Sequence, residues 1–139
     1  MNSKALAIAF AASIVFGASA FAETVKMKAT LNGASEVPPT TSPATGSADV
    51  TYDTDSKKLT WTVTYSGLTG PATMAHFHGP AESGKNAAPA VPIPDPKSGV
   101  EGNAMLTDAQ AADLLAGRYY VNVHTEANKG GEIRGMVTK

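Results

Sequence analysis

Cysteine is absent from this chain of 139 residues, and histidine occurs only three times. No disulfide can form, so stability must come from burial and from any ligand that the protein binds. No basic cluster is present, and nothing therefore suggests a nucleic-acid or anionic-membrane partner. The sequence also has no Gly-x-Ser-x-Gly elbow, no phosphate loop and no dinucleotide-binding pattern. The absence of these three motifs disfavours a serine hydrolase with a nucleophile elbow, a phosphate-loop enzyme and a dinucleotide-dependent enzyme.

Long apolar runs are missing after the first 22 residues, and the run before that point is short. Lys4 precedes an apolar stretch at 5–16, and the small-x-small motif of signal peptidase follows at 20–22. An attached membrane anchor is the alternative, but a spanning helix needs about 20 apolar residues. We therefore predict a cleaved signal peptide over 1–22 and a periplasmic or secreted mature chain over 23–139, with no membrane span and a net charge of −2.

Alternation of apolar and polar residues dominates the mature chain and predicts short strands with one buried face. The alternating runs lie at 24–31, 46–52, 59–65, 72–78, 100–106, 118–124 and 132–138. The aromatic residues Tyr52, Trp61, Tyr65 and Phe77 fall at strand spacing and are predicted to lie in the core. Many strands with abundant turn residues favour an all-β fold, an antiparallel β-sandwich or barrel.

Two segments depart from this alternation. Thr107 and Gln110 form a capping box ahead of good helix formers, and Gly117 is a plausible stop, which predicts one short helix. The segment 80–99 contains five prolines, which predicts a long irregular loop.

The three histidines all fall in predicted strands. Residues i and i+2 of a strand share a face, so His76 and His78 stand side by side, with Cα atoms about 6 to 7 Å apart. A neighbouring strand that carried His124 would complete a three-nitrogen metal site. The alternative is that all three are polar surface or edge residues.

Imidazole ligands suit copper, zinc, nickel and iron, and copper(II) binds most tightly in the divalent series. Copper is therefore the preferred ion, and zinc with three histidines and a water is possible. Met74 shares the face of His76, where a thioether would favour copper(I), although ordinary core packing is the expected role. Arg134 either attracts an anion to the metal or has a structural role, pairing with Glu132 or Glu126 or bonding loop carbonyls.

Four ordered motifs give the sequence a family resemblance. They are Leu31-Asn32-Gly33-Ala34-Ser35-Glu36-Val37-Pro38-Pro39, Ala75-His76-Phe77-His78-Gly79-Pro80-Ala81, Leu115-Ala116-Gly117-Arg118-Tyr119-Tyr120-Val121-Asn122-Val123-His124-Thr125 and Gly131-Glu132-Ile133-Arg134-Gly135. This series resembles the chordin-repeat (CHRD) domain from about Lys26 to the C-terminus. The resemblance implies an exported single-domain protein with the CHRD domain over 23–139.

The order of the same elements is more distantly similar to copper/zinc superoxide dismutase. That similarity implies a Greek-key sandwich, copper ligands at His76, His78 and His124, and an anion-steering role for Arg134. The sequence has no fourth histidine to bridge copper and zinc, and it has neither the zinc ligands nor the disulfide of that family.

The sequence is compatible with three functions. The first is an exported copper-binding protein for storage, buffering or delivery. The second is a copper-dependent dismutase or oxidase, in which Arg134 would take part in catalysis. The third is a metal-free structural or protein-interaction module, whose protein partner the sequence does not identify.

Overall fold

A computed structural model of the chain describes residues 10–17 and 21–139. The predicted signal peptide lies partly outside these residues, and its described parts, 10–17 and 21–22, are solvent-exposed without regular secondary structure. In the part of the chain that the structure describes, no helix has the length and apolarity needed to cross a bilayer.

Eight strands and one short α-helix make up the described fold. The strands are β1 (Thr24–Asn32), β2 (Thr45–Asp53), β3 (Lys58–Ser66), β4 (Ala72–His78), β5 (Pro89–Ile93), β6 (Glu101–Met105), β7 (Tyr120–Thr125) and β8 (Ile133–Met136). The helix α1 spans Asp108–Leu115, and a single 3₁₀ turn spans Gly33–Ser35. The all-β class with one short helix is therefore confirmed.

The strands form one antiparallel sheet in the order β5-β4-β7-β8-β1-β2-β3-β6. This sheet curls into a nearly closed barrel whose two edges are β5 and β6. β7 lies beside β4 rather than beside β6, which is the crossover of a Greek key. The topology brings β4 and β7, which carry the three histidines, next to each other.

The prediction that 80–99 is irregular was wrong over its middle part, where β5 pairs with β4. Proline has no N–H to donate, so it occurs in a sheet at an edge strand or at the first residue of a strand. β5 is an edge strand, and its prolines are Pro89, its first residue, and Pro92, opposite His76. Composition alone gave no means to separate such an edge strand from a loop.

One side of every strand packs into a single apolar core. Trp61 and Phe77 are almost fully buried and meet edge to face, with ring centroids 5.2 Å apart. Tyr52 is buried as well, and Tyr65 packs against the core while partly exposed. The predicted capping box is present at Thr107, whose side chain accepts from the Gln110 N–H.

The strand β7 is buried on both of its faces, unlike β2 and β3. Val121 and Val123 point into the apolar core. Tyr120, Asn122 and His124 point to the other side, where loops cover them. The fold thus encloses a polar layer outside the barrel core.

Candidate metal centre

The register between β4 and β7 brings the three histidines together on the outer side of the sheet. His76 lies opposite Asn122, and His78 lies opposite Tyr120. His124 follows Asn122 by two residues and therefore shares its face. The predicted convergence of His76, His78 and His124 is what the structure shows.

Nitrogen atoms of the three rings approach to within coordination range. Nδ1 of His76 lies 3.3 Å from Nε2 of His124, and one nitrogen from each of the three rings can be chosen so that all lie within 4.8 Å of one another. Two metal–nitrogen bonds of about 2 Å span at most about 4 Å. The widest pair would need to close by less than about 1 Å, which small side-chain rotations supply. The cluster can hold a metal ion.

Backbone carbonyls orient the two most buried rings. Nδ1 of His78 donates to the Ala87 carbonyl at 2.9 Å, and Nδ1 of His124 donates to the Lys129 carbonyl at 2.8 Å. In a neutral imidazole, a donating Nδ1 leaves the lone pair on Nε2. Metal-binding histidines are commonly fixed in this way by the partner of their other nitrogen.

The amide of Asn122 occupies the remaining nitrogen of His78. The Asn122 amide lies 2.8 Å from Nε2 of His78, between β4 and β7, and both residues are buried. Because Nδ1 of the neutral ring donates to Ala87, Nε2 is an acceptor, and the contact is a hydrogen bond when the amide turns its N–H₂ group toward it. An ion bound at Nε2 would take the place of this contact. Strand periodicity in the sequence places Asn122 on the face of His124, but it does not indicate this contact with His78.

Burial favours the neutral form of His76 and His78. Desolvation lowers the pKa of His76 below 6.5, and the neighbouring His124 and His78 lower it further. Desolvation also lowers the pKa of His78, against the opposing effect of its hydrogen bonds to Ala87 and Asn122. The neutral imidazole is the form that binds a metal ion, so these two rings are ready to bind at neutral pH.

A stack of side chains links this cluster to Arg134. The ring of His78 is parallel to that of Tyr120, with centroids 4.8 Å apart, and the Arg134 guanidinium lies 4.0 Å from the Tyr120 centroid. The Tyr120 hydroxyl accepts from the Ala87 N–H at 3.1 Å. Tyr120 therefore supports both His78 and the loop over it, a role that sequence patterning did not reveal.

Arg134 is buried and pairs with Glu36, so the expected pairing with Glu132 or Glu126 was wrong. Its Nε and Nη2 each lie 3.0 Å from one Glu36 carboxylate oxygen. The expected bond to a loop carbonyl is present, because Nη1 donates to the Lys85 carbonyl at 3.3 Å. Nη2 also donates to the Asn86 side chain at 2.7 Å. The guanidinium thus ties together two loops that flank the histidines.

Burial raises the pKa of Glu36, and the Coulomb attraction and hydrogen bonds of Arg134 oppose that rise. One carboxylate oxygen of Glu36 takes both contacts with Arg134, while the other, Oε1, is buried without a hydrogen-bond partner. Ion pairs of this kind carry a desolvation cost that only good geometry offsets.

Glu132, the residue before β8, accepts hydrogen bonds from neutral groups only. Its carboxylate is fully buried and receives the Thr125 hydroxyl at 2.8 Å, the Thr69 N–H at 3.0 Å and the Ser42 hydroxyl at 2.9 Å. Burial would raise the pKa of Glu132, but these hydrogen bonds outweigh that effect and lower the pKa to about 2. The Asn128 amide adds a further bond at 3.0 Å.

Met74 does not pack in the core, so that expectation was wrong. About half of its surface, 49%, is exposed. It lies opposite His124 in the register of β4 and β7.

Comparison with known proteins finds one family. A family model, the CHRD domain, matches residues 27–137, a segment that includes the three histidines, Glu36 and Arg134. No curated protein and no solved structure matches the chain. The similarity to copper/zinc superoxide dismutase therefore remains an interpretation of ordered motifs.

Proposed function

The chain belongs to the CHRD-domain family, and we propose that this member is an exported protein that binds one metal ion, most favourably copper, through His76, His78 and His124. One observation carries the proposal: nitrogen atoms of the three rings lie within 4.8 Å of one another. The carbonyl contacts of His78 and His124 support it, because they direct both Nε2 lone pairs away from the backbone.

Copper is proposed over zinc on ligand chemistry. Among divalent ions, copper(II) has the highest affinity for nitrogen ligands at equal geometry. The histidine cluster includes no carboxylate, which disfavours an iron site of two histidines and one carboxylate. Three imidazoles would hold the ion, and its role would be storage, buffering or delivery. Zinc would bind the same atoms more weakly.

Export is proposed from the N-terminal sequence. Lys4, the apolar run at 5–16 and the motif at 20–22 are typical of a signal peptide over 1–22, which leaves a mature CHRD domain over 23–139. The mass of the protein recovered from a periplasmic or culture-medium fraction tests this. Cleavage after residue 22 is expected, whereas a full-length membrane-bound product would contradict it.

Copper titration of the purified protein tests the metal site. We expect sub-micromolar binding of one ion, and loss of at least a hundredfold in affinity for the His76→Ala/His78→Ala variant. The matched control is Thr62→Ala/Thr64→Ala, which changes two residues at the same i, i+2 spacing on the outer face of β3. Sub-micromolar binding that survives in the double histidine variant would overturn the proposal.

A copper-dependent dismutase is the second candidate. The partly exposed His76 leaves one side of the cluster open, which favours access by a small anion. The contacts of Arg134 with Glu36, Asn86 and Lys85 weigh against a free anion-steering role. Dismutation by the copper-loaded protein in excess of an equal amount of free copper would support the enzyme.

Absence of any copper binding would instead favour a metal-free interaction module.

A further inference from the structure

Met74 and Met105 are unusual in the described domain. Among the residues described from 24 onward, they are the only exposed large hydrophobic side chains, with 49% and 65% of their surfaces accessible to solvent. A single exposed apolar residue is common at protein surfaces and needs no function by itself. The position of Met74 distinguishes it from Met105.

Met74 is adjacent to two of the three histidines. It lies directly opposite His124 across β4 and β7, a relation that places Cβ atoms about 4.5–5.5 Å apart on one face. It also precedes His76 by two residues on that face, about 6 to 7 Å away along the strand. The methionine side chain is unbranched and has three rotatable bonds, so its sulfur can reach an ion held between these rings.

The accessible side of the cluster is the side of Met74. His78 and His124 are 7% and 6% exposed, beneath the loops that contain Ala87 and Lys129. His76 is only partly buried, and Met74 comes next on the same face of β4. A fourth ligand that approaches a three-histidine ion from solvent would come from this side.

We propose that Met74 supplies a thioether sulfur as a fourth ligand and that the site is thereby adapted to copper(I). This inference rests on the proposed metal-binding function. Thioether sulfur is a soft ligand that selects copper(I), whereas zinc and copper(II) are well served by imidazole and water. Met74 therefore raises the affinity of the site for copper(I) but not for copper(II) or zinc.

Paired affinity measurements on Met74→Leu and Met105→Leu test the proposal. Leucine conserves volume and removes only the sulfur chemistry, and Met105 lies on β6, opposite Lys58. Under anaerobic competition with a copper(I) chelator, we expect Met74→Leu to lose roughly tenfold in copper(I) affinity, about 1.4 kcal/mol. Copper(II) and zinc affinities should stay unchanged, and Met105→Leu should match the parent protein for all three ions.

X-ray absorption on the copper(I)-loaded proteins provides a second measurement. A sulfur scatterer is expected in the parent and in Met105→Leu, and only nitrogen or oxygen scatterers are expected in Met74→Leu. Suppose that copper binding still requires His76 and His78. An unchanged copper(I) affinity in Met74→Leu, or a parent spectrum without sulfur, would then overturn the role of Met74 and leave the three-histidine site standing. Failure of the parent protein to bind copper, or binding independent of those histidines, would overturn the proposed function as well.

Discussion

The two halves of the sheet follow the same alternation but differ in what covers their outer faces. The open half is formed by β1, β2, β3 and β6. Buried positions alternate with exposed or partly exposed ones in β1, β2 and β3, and partly buried positions alternate with exposed ones in β6. In the covered half, formed by β4, β7 and β8, every residue of β7 is buried. Loops that lie over this half turn its polar face into an enclosed layer.

The difference shows how the fold builds a site outside its core. Polar side chains on the open half are solvated by water, but those beneath the loops must find protein partners because unpaired burial is costly. Their partners are loop groups such as the Ala87 and Lys129 carbonyls. The same contacts that satisfy these groups also fix the histidine rings.

The largest expected effect comes from Glu132, whose carboxylate lies in the covered half. Glu132→Gln replaces an acceptor with an amide whose N–H₂ group faces donors, so we expect the free energy of unfolding to fall by about 3 kcal/mol. Glu101→Gln, an exposed change on β6, should alter it by less than about 0.5 kcal/mol. Urea denaturation at pH 7 measures both. Equal effects of the two changes would remove the energetic contrast between the halves.

The next effect concerns Arg134. Arg134→Lys keeps the charge but removes the planar guanidinium, which contacts Glu36 and Asn86 and stacks on Tyr120. We therefore expect the free energy of unfolding, measured by urea denaturation, to fall by about 2 kcal/mol. Amide exchange should also become faster at Ala87, whose N–H bonds Tyr120.

Arg118→Lys is the matched control, because the Arg118 side chain is 44% exposed and forms only long contacts, 3.5 Å, with Glu82 and Asp113. It should have little effect on stability and none on exchange at Ala87. Unchanged exchange at Ala87 in Arg134→Lys would show that the loop does not depend on the guanidinium.

A smaller, pH-dependent effect follows from the low pKa of Glu132. The folded pKa of about 2 lies below the ordinary value of 4.5, so the carboxylate stabilises the fold above pH 4.5 and loses this contribution as pH falls toward 2. The stability difference between the parent protein and Glu132→Gln should shrink by about 1.5 kcal/mol between pH 4.5 and pH 3. A constant difference would contradict the low pKa.

Local patterns in the sequence were sufficient for much of this architecture. Period-two alternation located seven strands and showed that His76 and His78 share a face, and the capping box located the helix. These features depend on neighbours in the chain, so the sequence carries them directly. The convergence of His124 depends on the pairing of β4 with β7, which local alternation does not specify.

Features that depend on distant packing could not be predicted. Arg134 and its partner Glu36 are 98 residues apart, and nothing local favoured Glu36 over the nearby Glu132. Alternation shows which residues share a face but not what covers that face. For this reason Met74 was expected in the core, although its exposed face is the one that carries the histidines.

The smallest effect is expected for the ion pair of the open half. Lys28 and Asp49 approach to 3.8 Å between β1 and β2, with side chains 85% and 68% exposed. Exposed pairs contribute little because water screens the charges and both side chains lose freedom. Asp49→Asn should therefore change the free energy of unfolding by less than about 0.5 kcal/mol, independently of salt above about 0.1 M. A loss as large as that of Arg134→Lys would mean that cover by loops does not decide how much a charge pair contributes in this fold.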